Sequence, residues 1–175
     1  MDFRTPDTRP TRLAAAIVLL AAVLLVPITA RAQQGPPQPV KWTLAVEPES
    51  GQVPAGGAAV AVVTAAIGEG WHVYAPDEAN VGPRPVDLAI VKNAVFSAAG
   101  RFESPEPERE MDQAFGQITA SYSEKATFRL PVAVAADAPA GAHTLEIDVT
   151  FQACDGNICL PAKAARVKAT LTVTK

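Results

Sequence analysis

From Val40 onward the chain alternates apolar with polar side chains in short runs, and proline or glycine ends nearly every run. An alternation of period two puts one set of side chains on each face of an extended strand, so it demands sheets with one buried face. Val40, Trp42, Leu44 and Val46 interleave with Lys41, Thr43, Ala45 and Glu47. Leu145, Ile147, Val149 and Phe151 interleave with Glu146, Asp148, Thr150 and Gln152. Ala165, Val167, Ala169, Leu171 and Val173 do the same against Arg166, Lys168, Thr170 and Thr172. Further strands are expected at residues 58–67, 71–74, 86–91, 94–102, 117–122 and 127–134. Residues 48–57, the Pro/Glu-rich 103–110, and the Ala-rich 134–142 with Pro139 and Gly141 read as loops. Eight or nine short strands and no helical stripe of comparable length predict an all-β fold, an immunoglobulin-like antiparallel β-sandwich.

Ahead of this pattern the chain has a different character. Arg4, Arg9 and Arg12 precede an apolar tract, Leu13 to Ile28, interrupted only by Pro27, and Ala30-Arg31-Ala32 follows. Sixteen residues fall short of the roughly 20 that cross a bilayer, and the small residues two apart are a cleavage pattern, so residues 1–32 read as a secretory signal peptide. Residues 33–39, rich in Pro and Gln, are a lead-in, and the domain is expected over 40–175. The mature chain is then periplasmic or otherwise exported, and no later segment is apolar for long enough to span a membrane. Fifteen basic against eighteen acidic residues, a net charge of −3, give no electrostatic footprint for nucleic acid.

An oxidising compartment directs attention to the two cysteines, Cys154 and Cys159, in Phe-Gln-Ala-Cys-Asp-Gly-Asn-Ile-Cys-Leu-Pro at the end of the strongest strand. Asp155-Gly156-Asn157 between them is hairpin-turn chemistry, because these residues tolerate positive backbone angles. Facing strand ends bring alpha carbons to about 4.5–5.5 Å, inside the range a disulfide needs. Closing so short a ring removes only ~2 kcal/mol of chain entropy, which makes a poor staple. A bond at a hairpin tip is, however, open to attack by a thiolate. A structural staple and a redox couple both remain open on chemistry alone. Metal binding is the weakest reading, since the spacing exceeds that of zinc knuckles and only His72 and His143 are left to complete a site. The two-residue spacer of thioredoxin is also absent, and Asp155 beside Cys154 favours the protonated thiol.

The cysteine string resembles the active-site hairpin of the amino-terminal periplasmic domain of DsbD, the thiol:disulfide interchange protein. The likeness extends to Gly70-Trp71-His72-Val73-Tyr74, to Gly82-Pro83-Arg84-Pro85 and to Asp112 through Gly116, and so covers roughly Trp42 to Val173. The resemblance implies a module whose disulfide is reduced by a thioredoxin-like partner fed by a membrane electron carrier, and which then reduces other exported proteins. It implies that Cys159 forms the mixed disulfide and Cys154 resolves it. It also implies an aromatic cap over the pair, for which Phe115 is the candidate, and a place near the cysteines for Tyr74. Ala114 is a departure, standing where better-known members carry the cap aromatic. No membrane domain or thioredoxin domain is present in the sequence, so a separate protein is expected to supply electrons. No cofactor enters this reading, because the sulfurs themselves carry the electrons.

Period two sends Trp71 and Val73 to one side of their strand and His72 and Tyr74 to the other; Trp71 reads as core. His72 is either a hydrogen-bonded strand residue or a base for a thiol. Asp112 is either a solvated loop acid or a charge that raises a cysteine pKa. The rival to an exchange module is a non-catalytic adaptor sandwich whose disulfide stiffens a loop.

Overall fold

The computed structural model describes residue 1, residues 37–76 and residues 82–175. The expected signal peptide beyond Met1, its cleavage site near Ala32, and the lead-in up to residue 36 lie outside the described residues. Residues Gln38–Lys175 form one compact unit. Among the described residues no helix is long and apolar enough to cross a membrane.

Twelve strands are described: β1 (Val40–Glu47), β2 (Gln52–Pro54), β3 (Ala58–Ile67), β4 (His72–Tyr74), β5 (Asp87–Ile90), β6 (Phe96–Ala98), β7 (Glu108–Asp112), β8 (Gln117–Ser123), β9 (Lys125–Val134), β10 (Gly141–Phe151), β11 (Ala153–Cys154) and β12 (Lys163–Thr174). They form three four-stranded sheets in the orders β1-β3-β9-β6, β2-β12-β10-β5 and β11-β4-β8-β7. The fold is all-β and sandwich-like, and every pairing is antiparallel except β2 with β12, which run parallel.

The first two sheets supply the two halves of one core. Ala61, Val63 and Ala65 of β3 and Phe128, Leu130 and Val132 of β9 share an apolar cluster with Leu145, Ile147 and Val149 of β10 and Leu171 of β12. The intervening residues face outward, where Lys168 and Arg166 of β12 reach Glu146 and Asp148 of β10 across the ladder. Such exposed pairs fix register more than they add stability. Trp42 of β1 packs its ring against Phe128 at 6.0 Å and Phe151 at 5.2 Å, joining the two sheets from the side.

The third sheet sits on the same core through Val73, Ala120 and Tyr122. Two strand interruptions build it. Glu124, at φ 57°, separates β8 from β9, so one long run of chain leaves the third sheet and enters the first. Gln152 separates β10 from β11, so another run leaves the second sheet for the third. A residue with positive φ breaks the regular pleat and re-aims the chain, as a bulge does.

The sequence reading differs from the structure in places. Residues 48–57 contain β2, whose Val53 is buried against β12. Three residues are too few to register as an alternation. Residues 103–110 run into β7, an edge strand exposed over its first four positions. It satisfies its backbone on β8 and buries no apolar stripe, so hydrophobic periodicity could not reveal it. The strand expected over 94–102 is regular only over β6; past Gly100, at φ 150°, the chain meets β9 again at the single bridge of Glu103 with Arg129.

Phe128 is fully buried and meets the rings of Trp42, Phe102 and Tyr122. Phe128→Ala is expected to cost about 3–5 kcal/mol, seen as a lower denaturant midpoint at unchanged slope, whereas Thr172→Ala on the exposed face leaves the midpoint nearly unmoved.

Candidate functional site

The cysteine hairpin is fixed first by its own backbone. The Leu160 N–H donates to the Ala153 carbonyl at 2.9 Å and the Asp155 N–H to the Ile158 carbonyl at 3.1 Å. Cys154 and Cys159 therefore face each other as the pair without mutual hydrogen bonds, the closer of the two antiparallel pairings. Their alpha carbons are 4.1 Å apart, tighter than the 4.5–5.5 Å expected, and a disulfide joins them with S–S 2.00 Å. Only Gly156 of the turn uses positive φ, at 85°. Asp155 acts through its side chain instead: Oδ1 accepts the N–H groups of Asn157 at 3.0 Å and Ile158 at 2.9 Å. Those two bonds, the Ile158 one foremost, hold the Asp155 carboxyl below the usual carboxylate range.

The hairpin is then docked on the third sheet. Ala153 pairs with Val73 and Cys154 with His72 on β4. Gln152 Nε2 donates to the Leu160 carbonyl at 3.1 Å, and its Oε1 accepts the Arg84 N–H at 2.9 Å. That glutamine ties the hairpin base to the 82–86 segment, a role the alternation had assigned simply to an outward strand position. The consequence is asymmetry between the two cysteines. Cys154 is 0% exposed, while Cys159 on the return limb keeps part of its surface in solvent.

Tyr74 is fully buried yet stands outside the apolar cluster, because its hydroxyl enters a polar network. The hydroxyl donates to Asp112 Oδ2 at 2.6 Å, meets His72 Nε2 at 3.0 Å, and lies 4.0 Å from Cys159 Sγ. His72 and Tyr74 do share one side of β4; Val73 faces the core, and half-buried Trp71 packs against its edge.

Asp112 is not a solvated loop acid. Its side chain is 2% exposed, and its two oxygens do different work. Oδ1 accepts the N–H groups of Ala114 at 2.8 Å and Phe115 at 3.2 Å, folding the loop between β7 and β8. Oδ2 accepts Tyr74, with the Thr119 hydroxyl at 3.5 Å. Burial raises the Asp112 pKa, but the hydrogen bonds from Tyr74, Ala114 and Phe115 and the charge of His72 outweigh it, and the carboxyl is held below its usual value. His72, 22% exposed at the side chain and 3.8 Å from Asp112 Oδ2, is pushed below the usual imidazole value by burial, against the opposing pull of Asp112, Asp155 and Glu110.

The loop that Asp112 folds carries Phe115, whose ring stands edge-on to Tyr74 at 6.0 Å and is 37% exposed. Five of the six residues singled out in the sequence thus form one contact chain, Cys159–Tyr74–His72/Asp112 with Phe115 on the tyrosine, and the disulfide adds Cys154. His143 stands apart near the start of β10, bonded to the Pro139 carbonyl at 2.7 Å. Among the described residues no group of three His, Cys, Asp or Glu side chains is arranged to hold a metal. Gln152 and Thr119 were not legible beforehand, since both act through polar contacts that apolar periodicity does not report.

Lowered in the folded state, the Asp112 pKa supplies stability that is present above its unfolded value and lost as pH falls through the folded one. The window therefore lies below about pH 4. Asp112→Asn is expected to flatten the acid limb of thermal stability there, and Asp112→Ala to cost about 2–3 kcal/mol at neutral pH by leaving the Tyr74 hydroxyl without its acceptor. Melting curves between pH 3 and 7 check both.

Comparison with known proteins gives a consistent result. The profile of the family described as thiol:disulfide interchange protein DsbD, N-terminal, matches residues 26–171. Among solved structures, the DsbD N-terminal domain of Neisseria meningitidis in the reduced form is 17% identical, with a TM-score of 0.45 over 64% of this chain and 77% of that one. The N-terminal periplasmic domain of ScsB from Proteus mirabilis is 16% identical, with a TM-score of 0.48 over 76% of this chain and 45% of that one. No curated protein sequence matches. With the family profile extending over most of its length, this chain belongs to the family of DsbD N-terminal domains.

Proposed function

We propose that this protein is an exported thiol–disulfide interchange module that relays electrons from a thioredoxin-like donor to exported disulfide-containing acceptors through Cys154 and Cys159. The observation that carries the proposal is the unequal exposure of the two cysteine residues in a disulfide set at a hairpin turn. Exchange requires in-line attack on one sulfur while the other leaves. An incoming thiolate reaches Cys159 from solvent, the S–S bond breaks, and Cys154 departs as a thiolate into the protein. A second thiol of the donor then attacks its own sulfur in the mixed disulfide and frees Cys159. The reduced pair repeats the sequence in reverse on an acceptor, with Cys159 attacking and Cys154 closing the ring.

In this reading a separate membrane electron carrier feeds the thioredoxin-like donor, and no cofactor is involved. Phe115 and Tyr74 line the approach to Cys159, and Asp112 and His72 set its electrostatics. Residues 1–32 are the signal peptide and residues 40–175 the working domain. Amino-terminal sequencing of periplasmic material is expected to begin at Gln33.

The roles of the sulfurs are tested by single variants challenged with a thioredoxin-like protein that keeps only its nucleophilic cysteine, carried as its thionitrobenzoate mixed disulfide, so that attack by the variant's thiolate breaks that S–S bond and releases thionitrobenzoate. Cys154→Ser is expected to accumulate a stable mixed disulfide visible by mass spectrometry, and Cys159→Ser to accumulate little. The equilibrium potential of the wild-type pair is expected above about −300 mV. A value well below that marks a bond that biological dithiols leave intact, and it sinks the relay in favour of a non-catalytic adaptor.

A further inference from the structure

Resting on the exchange reading above, we propose that His72 receives the Cys159 proton through Tyr74, so that the attacking thiolate forms at neutral pH as one half of a thiolate–imidazolium pair. The route is a chain of contacts already in place. Cys159 Sγ lies 4.0 Å from the Tyr74 hydroxyl, and that hydroxyl lies 3.0 Å from His72 Nε2. Tyr74 is fully buried and the Asp112 side chain nearly so, which leaves the half-buried imidazole as the member beyond Cys159 itself that meets solvent. It opens on a groove of about 310 Å³ lined by Trp71, Glu108, Glu110, Asp112 and Asp155. His72 is a positioning residue, since it reaches the sulfur only through the tyrosine.

With His72 in the tautomer that carries its hydrogen on Nδ1, the Cys159 S–H proton moves to the Tyr74 oxygen while the tyrosine's own hydrogen leaves Asp112 Oδ2 and passes to His72 Nε2, which becomes imidazolium. The thiolate attacks one sulfur of the acceptor disulfide; that S–S bond breaks, and the acceptor's leaving thiolate takes a proton from water. Cys154 loses its proton to solvent and attacks Cys159 Sγ, re-forming the internal disulfide and releasing the second acceptor thiolate. Two electrons pass to the acceptor, and the two protons lost from the pair are recovered by its thiols through solvent and the imidazole.

The surroundings suit a base that is free at neutral pH and tolerates charge briefly. Burial keeps the ring below the usual imidazole pKa, hence neutral and able to accept. The charged groups facing it are Asp112 and Glu110 from β7 and Asp155 from the cysteine hairpin, all carboxylates that steady the imidazolium once formed. Asp112 Oδ2, 3.8 Å from Nε2, is the nearest of them.

The test uses Cys154→Ser, which leaves Cys159 as the single thiol, and reads its alkylation by iodoacetamide between pH 5 and 9. In this background reaction is expected to persist toward pH 6. Adding His72→Gln is expected to move the midpoint up by about one pH unit or more, an approximately tenfold lower rate at pH 7. Tyr74→Phe, which keeps the ring and removes the hydroxyl, is expected to act in the same direction, and it decides the matter if the glutamine variant folds poorly. Free imidazole added to His72→Ala is expected to restore part of the rate, a rescue that a purely structural histidine does not give. Superimposable profiles for the parent, His72→Gln and Tyr74→Phe overturn the inference. If those profiles coincide while Cys154→Ser still traps a thioredoxin-like partner, the relay stands and only the role of His72 falls; if no partner is trapped, the exchange reading falls with it.

Discussion

The site depends on one buried carboxylate. Asp112 ends an edge strand with no apolar face to hold it, so the position of the following loop rests on hydrogen bonds rather than on burial. Oδ1 collects two backbone N–H groups and folds that loop, while Oδ2 takes the Tyr74 hydroxyl from another strand. A single side chain thereby fixes the phenol near Cys159 and the loop bearing Phe115 relative to each other. An ionised group with so little water is tolerated only when its acceptor sites are filled, and here the donors come from three different residues besides the weaker Thr119 contact.

Around this contact the sandwich serves as a frame. The strands β8–β9 and β10–β11 each begin or end in the two main sheets and cross to the third at a single irregular residue, Glu124 or Gln152. The third sheet is therefore anchored by continuous backbone at both crossings and also packs on the shared core through Val73 and Tyr122. Because Cys154 belongs to the strand that crosses over, it is drawn inward onto β4; Cys159 lies on the limb that turns back and stays partly wet. Unequal access of the sulfurs follows from topology, with no special group needed at either one.

How much of this was legible in the sequence varied with the kind of interaction responsible, apolar burial or polar contact. The ladders β3–β9 and β10–β12 announce themselves because both partners are long and alternate cleanly. The cysteine hairpin was equally plain, since Asp155 and Gly156 act within a few residues. The side shared by His72 and Tyr74 followed from the pleat alone. What the pattern concealed was held by hydrogen bonds. β7 is a strand only because β8 lies beside it, Asp112 is buried only because Tyr74 and its own loop close over it, and Gln152 looked like an ordinary outward residue until Arg84 and Leu160 were brought to it. Composition and period report burial of apolar surface, and this strand and these two residues satisfy polar groups instead.

The same accounting explains how a disulfide can be opened and closed without disturbing its surroundings. The ring it closes is short, so the bond removes only ~2 kcal/mol of chain entropy in the loop-closure model. The hairpin has independent supports: pairing of Ala153 and Cys154 with β4, the two side-chain bonds of Asp155, and the bridge that Gln152 makes to Leu160 and Arg84. None of these passes through sulfur. Backbone pairing, and not the S–S bond alone, sets Cys154 opposite Cys159. A bond on which the fold depended would resist reduction by as much as the fold would lose. Here the register of the two cysteines is set by backbone pairing as well as by the bond, which is what the proposed reversible couple requires.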